Sequence, residues 1–447
     1  MAVALIVLAA GQGTRMGSDL PKVLHPLAGA PLLWHALRAG AVLEPDRTVV
    51  VVGHGAEAVA ASAREADPDV AIVRQYDRLG TAHAVLQAAP ALEGFNGDAL
   101  VLYGDTPFIG EDTLHALQAA RSRADVVVLG FEAADPTGYG RLVMDGDRLE
   151  RIVEQKDATD AERAITLCNS GVICADARLL MELAAGVGNA NAAGEYYLTD
   201  IVALACARGL TAGAVRCAEA ETLGINTPAE LAAAEAAFQT RARAEAVANG
   251  VALQGPDTVF FAFDTAIGGG ATVEPYVVFG PGVTVETGAR IRSFSHLEGC
   301  HVSRGATVGP FARLRPGAEL AEGVRVGNFV EIKNATLDEG AKVNHLTYVG
   351  DAEVGAGANL GAGTVTCNYD GVSKHRTEIG PGAFIGSATM LVAPVRVGPG
   401  AMTGSGSVIT EDVPEGALAV ARARQVNKPG LAARLMARLR AGRTGRA

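Results

Sequence analysis

The residues with the most chemical meaning fall into two groups far apart in the chain. In the first, Leu8-Ala9-Ala10-Gly11-Gln12-Gly13-Thr14-Arg15-Met16 directly continues an apolar run. A glycine-rich turn after a strand lets backbone N–H groups approach phosphate oxygens, and Arg15 adds a charged donor. Its glycines fit neither a Walker loop nor a full GxGxxG. Lys22, after Pro21, offers a second cation, readable as a phosphate ligand or as a solvated surface charge. Val101-Leu102-Tyr103-Gly104-Asp105-Thr106-Pro107 ends an apolar run in a carboxylate. Open α/β sheets bind ligands at that edge, and one carboxylate with phosphate oxygens and water suits Mg²⁺. Capping the next turn is the plainer role for Asp105. Gln75 with Leu79-Gly80-Thr81-Ala82 could present an amide and backbone groups to the edge of a base, or simply end a strand and start a helix.

The second group centres on His345, within Lys342-Val343-Asn344-His345-Leu346-Thr347-Tyr348. A histidine on a strand is more often structural. Here Arg315, Lys333 and Lys374 could bind a sugar phosphate while His345 takes a proton from an amine. Cys367-Asn368-Tyr369-Asp370-Gly371 opens an insertion running to Thr377, and loops that interrupt a rigid scaffold often carry function. Cys367 has no evident activator beside it in sequence, which argues against a nucleophilic role.

Two kinds of element must position these groups. Up to about residue 226, buried runs (Ala4–Leu8, Thr48–Val52, Val70–Val73, Ala99–Tyr103, Val126–Leu129) alternate with helical stretches (Pro31–Ala39, Ala56–Ala66, Thr81–Ala89, Glu111–Arg123). That alternation implies βαβ units and a mostly parallel sheet, a Rossmann-like α/β domain. Thr227–Ala248 reads as a connecting helix, with Thr227 as N-cap, Pro228 in the first position and Glu230 as a nearby capping carboxylate. Beyond it, Val302, Val308, Leu314, Leu320, Val326 and Ile332 recur every six residues, and Ile379, Ile385, Leu391 and Val397 resume the spacing after an interruption. A hexapeptide repeat describes a three-faced β-helix in which each aliphatic stacks on the one about eighteen residues away. The expected divisions are residues 1–226, a linker helix at 227–250, a β-helix at 251–430 and a basic tail at 431–447.

With 447 residues, 49% of them hydrophobic, the chain has apolar surface for two or three packed domains. A net charge of −11 with no basic stripe argues against nucleic acid. The six cysteines show no CxxC pairing, which suits reduced thiols and a cytoplasmic setting. The opening apolar residues lack a basic n-region and read as a strand, not a signal peptide, and no run reaches transmembrane length. Arg434, Arg438, Arg440, Arg443 and Arg446 make the tail basic, and a solvated helix with a frayed end is expected there.

LAAGxGTRM, SDLPKVLH, Gln75 with LGTAHA, YGDTP, Thr137-Gly138-Tyr139-Gly140-Arg141, Ile152-Val153-Glu154, Asn169-Ser170-Gly171 and Gly224-Ile225-Asn226 occur in this order. The ordered set resembles the bacterial bifunctional N-acetylglucosamine-1-phosphate uridyltransferases/glucosamine-1-phosphate acetyltransferases over nearly the whole chain. The resemblance implies that Ala10, Gly11, Gln75, Gly80 and Thr81 surround uracil and that Arg15 and Lys22 contact the triphosphate of UTP. It places Gly140, Glu154 and Asn169 on the N-acetylhexosamine, and Asp105 with Asn226 on Mg²⁺. In the second half it gives Arg315, Lys333, Tyr348, Asn359 and Lys374 to glucosamine 1-phosphate and makes His345 the general base. Asn368, Tyr369, Ser387, Ser405 and Arg422 would line the acetyl-CoA site, with Ser405 replacing a more usual alanine. A left-handed β-helix, a homotrimer and supply of a cell-envelope precursor are further implications.

Three rival readings stand beside it. One is a single-function sugar nucleotidyltransferase whose β-helix only oligomerises. Another is a zinc enzyme resembling the gamma carbonic anhydrases, with His296, His301 and His345 as ligands. The third is a C-terminal half that is only a scaffold.

Overall fold

The computed structural model describes residues 2–444 and divides into two compact units, Met1–Ala242 with Phe261–Phe263, and Arg243–Phe260 with Asp264–Ala447. The first unit is built on a nine-stranded sheet. Its strands are β1 (Val3–Ala9), β2 (Arg47–Val52), β3 (Ala71–Arg74), β4 (Asp98–Tyr103), β5 (Val126–Glu132), β6 (Arg141–Asp145), β7 (Arg148–Val153), β8 (Leu167–Asp176) and β9 (Ala212–Cys217). They lie in the order β9-β5-β8-β4-β1-β2-β3, with the β6–β7 hairpin attached to β8. The continuous aliphatic runs follow from burial on both faces. Ala4, Ile6 and Leu8 enter one core, while Val3, Leu5, Val7 and Ala9 enter the other.

The sheet is more mixed than the alternating pattern implies. β8 runs antiparallel between β4 and β5, and the β6–β7 hairpin is antiparallel too. This insertion breaks the βαβ rhythm and projects residues 140–171 towards the ligand edge. Some helices also differ in extent. The first is α1 (Leu32–Ala41), α2 (Ala56–Ala66) fits its sequence pattern, α3 (Thr81–Leu86) gives way to a 3₁₀ turn at Ala89–Leu92, and α4 (Glu111–Ala120) stops early. Pro90 explains the third case, because it lacks the N–H needed to continue an α-helix.

The long helix α5 (Pro228–Ala248) begins in a reciprocal cap. Glu230 N–H donates to Thr227 Oγ1 at 3.2 Å, and Thr227 N–H donates to Glu230 Oε2 at 2.9 Å. Asn226 N–H donates to the same carboxylate oxygen at 2.6 Å, so the helix start also fixes Asn226.

The second unit is a left-handed parallel β-helix. One stack has ten strands in strictly increasing chain order, and the other two faces merge into a fourteen-stranded system. Val302, Leu320, Leu337, Val354, Ile379 and Val397 succeed one another in register and are all essentially buried. Two strands, Glu331–Leu337 and Tyr348–Val354, continue through a corner at Asn334 and Asp351, both at positive φ. The ladder normally advances by steps such as Lys342 to Asn359, but the next step reaches Phe384, because the insertion leaves the stack and returns without disturbing it. Tyr369 pairs with Lys374 to close that insertion as a small hairpin. The tail forms a helix at Leu431–Thr444, exposed at Arg434, Arg438 and Arg440, whereas Arg446 lies outside the described residues.

On α1, His35 is buried with Nε2 2.9 Å from the Leu27 carbonyl, which it serves as donor, and its ring meets Phe238 and Phe263 edge-on. Burial lowers its pKa from 6.5 to about 4, so the fold holds the neutral ring. The unfolded chain accepts a proton near pH 6.5 and the folded chain only near 4. Stability is therefore complete above the first value and falls by up to about 3 kcal/mol as pH drops towards the second. Urea unfolding at about pH 7 and about pH 5 is expected to show about 2 kcal/mol of this loss in the wild type and a smaller loss in His35→Gln.

Candidate functional site

In the first unit, β1 and β4 are parallel neighbours, with Leu8 opposite Tyr103, so the loops that follow them open on the same edge. Gly104 N–H donates to Leu8 O at 3.0 Å and holds the two loops together. A cleft of about 310 Å³ lies there, lined by Ala10, Gly11, Lys22, Gln75, Gly80, Thr81 and Asp105 among others. Arg15 is outside this lining, exposed on the turn Thr14–Met16. Arg78 and Glu195 line the cleft as well, and Arg78 donates to Gln12 Oε1 at 2.7 Å. Neither carries a signal in the sequence, since both are surface charges in ordinary surroundings.

One wall depends on a close backbone approach. Gly80 has φ 122°, and a Cβ there would sit 2.4 Å from the Tyr196 carbonyl oxygen. Tyr196 N–H donates to Leu79 O, Ala82 N–H donates to Tyr196 O, and Leu198 N–H donates to Thr81 Oγ1. Gln75 is buried, with Nε2 3.1 Å from both Gly80 O and His83 Nδ1. Because the Gly80 carbonyl can only accept, the amide nitrogen must face it.

Lys22 reaches across the cleft. Its ammonium pairs with Asp105 and donates to Asn226 Oδ1 at 3.0 Å. Asp105 and Asn226 lie far apart in sequence and are joined by a hydrogen bond from Ile225 N–H to Asp105 O at 3.0 Å. Their oxygens thus converge on one cation, the donor chemistry that Mg²⁺ requires.

The antiparallel insertion brings Gly140, Glu154 and Asn169 together. Asn169 N–H donates to Gly140 O at 2.8 Å, and a Cβ on Gly140 would meet both Glu154 carboxylate oxygens at 3.4 Å. Asn169 opens an irregularity in the β8–β5 register, where its Oδ1 accepts from Gly171 N–H at 3.0 Å. Gly171 leaves room for the Tyr103 ring, which a Cβ would approach to 2.7 Å. Burial raises the Glu154 pKa against a hydrogen bond from Thr199, with Asp200 and Asp157 adding to the rise. Burial likewise raises the Tyr103 phenol, helped by Asp105 and Glu154.

In the second unit, His345 is exposed and its Nδ1 lies 2.9 Å from Asn328 Oδ1. An amide oxygen only accepts, so Nδ1 is the donor in this bond. Asn328 was not picked out by sequence reasoning, although it lies one coil before His345 on the same stack. Lys333 and Lys374 sit side by side, and that contact, with Arg315 beyond, lowers the Lys333 pKa. Crowded cations of this kind call for an anion. Arg315 also pairs with Glu331 at 2.9 Å.

Beneath the cations runs a polar corner ladder. Asn334 Nδ2 donates to Asp351 at 2.6 Å, and Asn368 donates to the other Asp351 oxygen. Burial opposes ionisation of Asp351, but these bonds and the cations Lys374 and Lys333 hold its pKa below the usual range. Tyr348 lies over Gly350, where a Cβ would come 2.3 Å from the phenol oxygen. Thr366 replaces an aliphatic in the stack and bonds Gly350 through both N–H and C=O. Asn359 is half-buried one ladder step past Lys342.

Tyr369 is exposed on the hairpin, and Ser387 and Ser405 occupy exposed positions on successive coils, linked by Gly406 N–H donating to Ser387 O at 2.8 Å. Arg422 is exposed beyond the last strand, Leu418–Ala419. Burial raises the Cys367 thiol, which disfavours a nucleophilic thiolate. The side chains give the zinc alternative no support. His301 is engaged by Glu286 and Glu319, and among the described residues no group of three or more His, Cys, Asp or Glu side chains could hold a metal.

Residues 5–189 match the family model of the MobA-like NTP transferase domain. The chain is 72% identical over 441 residues to the bifunctional protein GlmU of Cereibacter sphaeroides (strain ATCC 17025), covering 99% of this chain and 97% of that one. It is 66% identical over 439 residues to the bifunctional protein GlmU of Jannaschia sp. (strain CCS1), covering 98% and 97%. A solved UDP-glucose pyrophosphorylase complexed with UDP-glucose is 18% identical with a TM-score of 0.43, covering 54% of this chain and 100% of that chain, a likeness too distant to bear on function.

Gly80→Ala is expected to cost about 2 kcal/mol or more, since it adds left-handed strain to a backbone clash. Urea unfolding of the full chain checks this, and a change within about 0.5 kcal/mol would contradict the close approach.

Proposed function

The chain belongs to the family of bifunctional GlmU proteins, and on that premise we propose that it makes UDP-N-acetylglucosamine at two sites, acetylating glucosamine 1-phosphate at one and joining the product to UMP at the other. The observation that carries this reading is a pair of distinct arrangements, Lys22 held by Asp105 and Asn226 at the edge of the α/β sheet, and Arg315, Lys333 and Lys374 crowded at a β-helix corner with His345 on the adjoining stack.

In the β-helix, Arg315, Lys333 and Lys374 hold the sugar phosphate, with Tyr348 and Asn359 against the sugar. His345 Nε2 takes a proton as the 2-amino nitrogen attacks the thioester carbonyl of acetyl-CoA. Asn328 keeps the required tautomer in place. The C–S bond then breaks, and the proton returns to the departing thiolate. Asn368, Tyr369, Ser387, Ser405 and Arg422 receive acetyl-CoA, and a homotrimer completes the site. The exposed setting of His345 supports that last part, because acyl transfer is better served where water is excluded.

In the α/β unit, Ala10, Gly11, Gln75, Gly80 and Thr81 receive the uracil, and Arg15 and Lys22 the triphosphate. Gly140, Glu154 and Asn169 position the N-acetylated sugar so that its phosphate oxygen attacks the α-phosphorus in line and pyrophosphate leaves. The attacking phosphate is already ionised, so no general base is needed. Positioning and charge neutralisation supply the acceleration. Asp105 and Asn226 would hold Mg²⁺, which neutralises phosphate charge when bound. No helix among the described residues is long and apolar enough to cross a membrane, and the soluble substrates suit a cytoplasmic enzyme supplying the cell envelope.

Separate sites make separable activities. His345→Ala is expected to lower acetyl transfer by about 100-fold or more while leaving uridylyl transfer near wild type, and Asp105→Ala to do the reverse. Assays of each half-reaction check both, and parallel loss in either folded variant would contradict the assignment.

A further inference from the structure

Lys22 does more in this structure than wait for a phosphate. Its stem is locked beneath the glycine loop, where a Cβ on Gly13 would meet Lys22 Cβ at 2.5 Å. Its ammonium pairs with Asp105, with side-chain exposures of only 13% and 17%, and also donates to Asn226 Oδ1. These two oxygens are the protein ligands assigned above to the metal. A part-buried pair is weakly screened, and removing one partner leaves an uncompensated charge.

We propose that Lys22 is the resident cation of the metal site, occupying the place of Mg²⁺ until UTP arrives. The inference rests on the assignment of Asp105 and Asn226 as metal ligands. A divalent cation bound by these two side chains would lie close to the ammonium group and be repelled by it. Metal entry is therefore favoured by departure of Lys22, and departure is favoured by an anion that takes up its charge. The triphosphate is that anion. Its oxygens accept the displaced ammonium and complete the metal's oxygen shell, which the protein alone does not fill. Metal and nucleotide binding are thereby coupled, each strengthening the other by the same factor. Meanwhile Lys22 keeps Asp105 and Asn226 converged, so the ligands need not be gathered when the nucleotide binds.

Free Mn²⁺ measured by electron paramagnetic resonance, with the full-length chain, tests the proposal. Wild type is expected to bind Mn²⁺ weakly alone and roughly tenfold or more tighter with UTP. Lys22→Met, which keeps the apolar stem but not the charge, is expected to bind Mn²⁺ without nucleotide roughly tenfold or more tighter than wild type. Lys22→Arg should restore weak binding. Mg²⁺ alone should then raise the melting temperature of Lys22→Met and not of wild type, a gain that misfolding cannot produce. If Lys22→Met binds Mn²⁺ no tighter than wild type, while UTP-dependent binding in wild type is lost in Asp105→Asn, the metal site stands and the role of Lys22 is overturned. If Asp105→Asn binds Mn²⁺ with UTP as well as wild type does, the metal assignment itself fails, and the inference with it.

Discussion

A buried backbone N–H or C=O left without a partner costs about 1–3 kcal/mol, and parallel strands avoid that cost by pairing every group along their length. In both units this constraint decides where chemistry can sit. In the α/β unit the central strands are buried on both faces, and in the β-helix the inward positions are mostly aliphatic, so functional groups collect where the ladders end or turn. In the α/β unit that place is the carboxyl edge of β1 and β4, where Gly11 and Asp105 emerge. In the β-helix it is the corner at Asn334, Asp351 and Asn368, with His345 on the adjoining stack. Aliphatic stacks such as Val302–Leu320–Leu337 supply stiffness and the corners supply reactivity.

On the proposed assignment both sites handle anionic sugar phosphates in a chain of net charge −11, and both do so locally. Lys22 in one is already paired with Asp105 and Asn226, whereas the Lys333–Lys374 pair in the other is a contact between like charges. The second arrangement stores unfavourable electrostatics that an arriving phosphate relieves. The supporting residues are fixed from outside the site. The α5 cap fixes Asn226, Thr199 bonds Glu154, and Asn328 sets the His345 ring.

Much of this was legible in the sequence because it is periodic or terminal. Six-residue spacing carries the β-helix, and the apolar run ending in Asp105 carries the ligand edge. The antiparallel strand β8 was not legible as such, since Leu167–Asp176 carries no mark of its direction and its pairing with distant β4 and β5 is decided by tertiary packing. Arg78 and Glu195 were missed for a related reason, because nothing local distinguishes them from solvated charges. Asn328 is a different case. The coil period applied backwards from His345 leads to it, so the signal was present and unused. Gly80 shows the remaining limit, because its need for glycine comes from Tyr196, far away in sequence.

The account stands most directly on one claim, that a single chain carries both reactions. Purified protein incubated with glucosamine 1-phosphate, acetyl-CoA, UTP and Mg²⁺, each omitted in turn, tests it. UDP-N-acetylglucosamine is expected only when all four are present, and N-acetylglucosamine 1-phosphate should accumulate when UTP alone is withheld. Product formed only from sugar phosphate supplied already acetylated would contradict the account and leave the β-helix without chemistry.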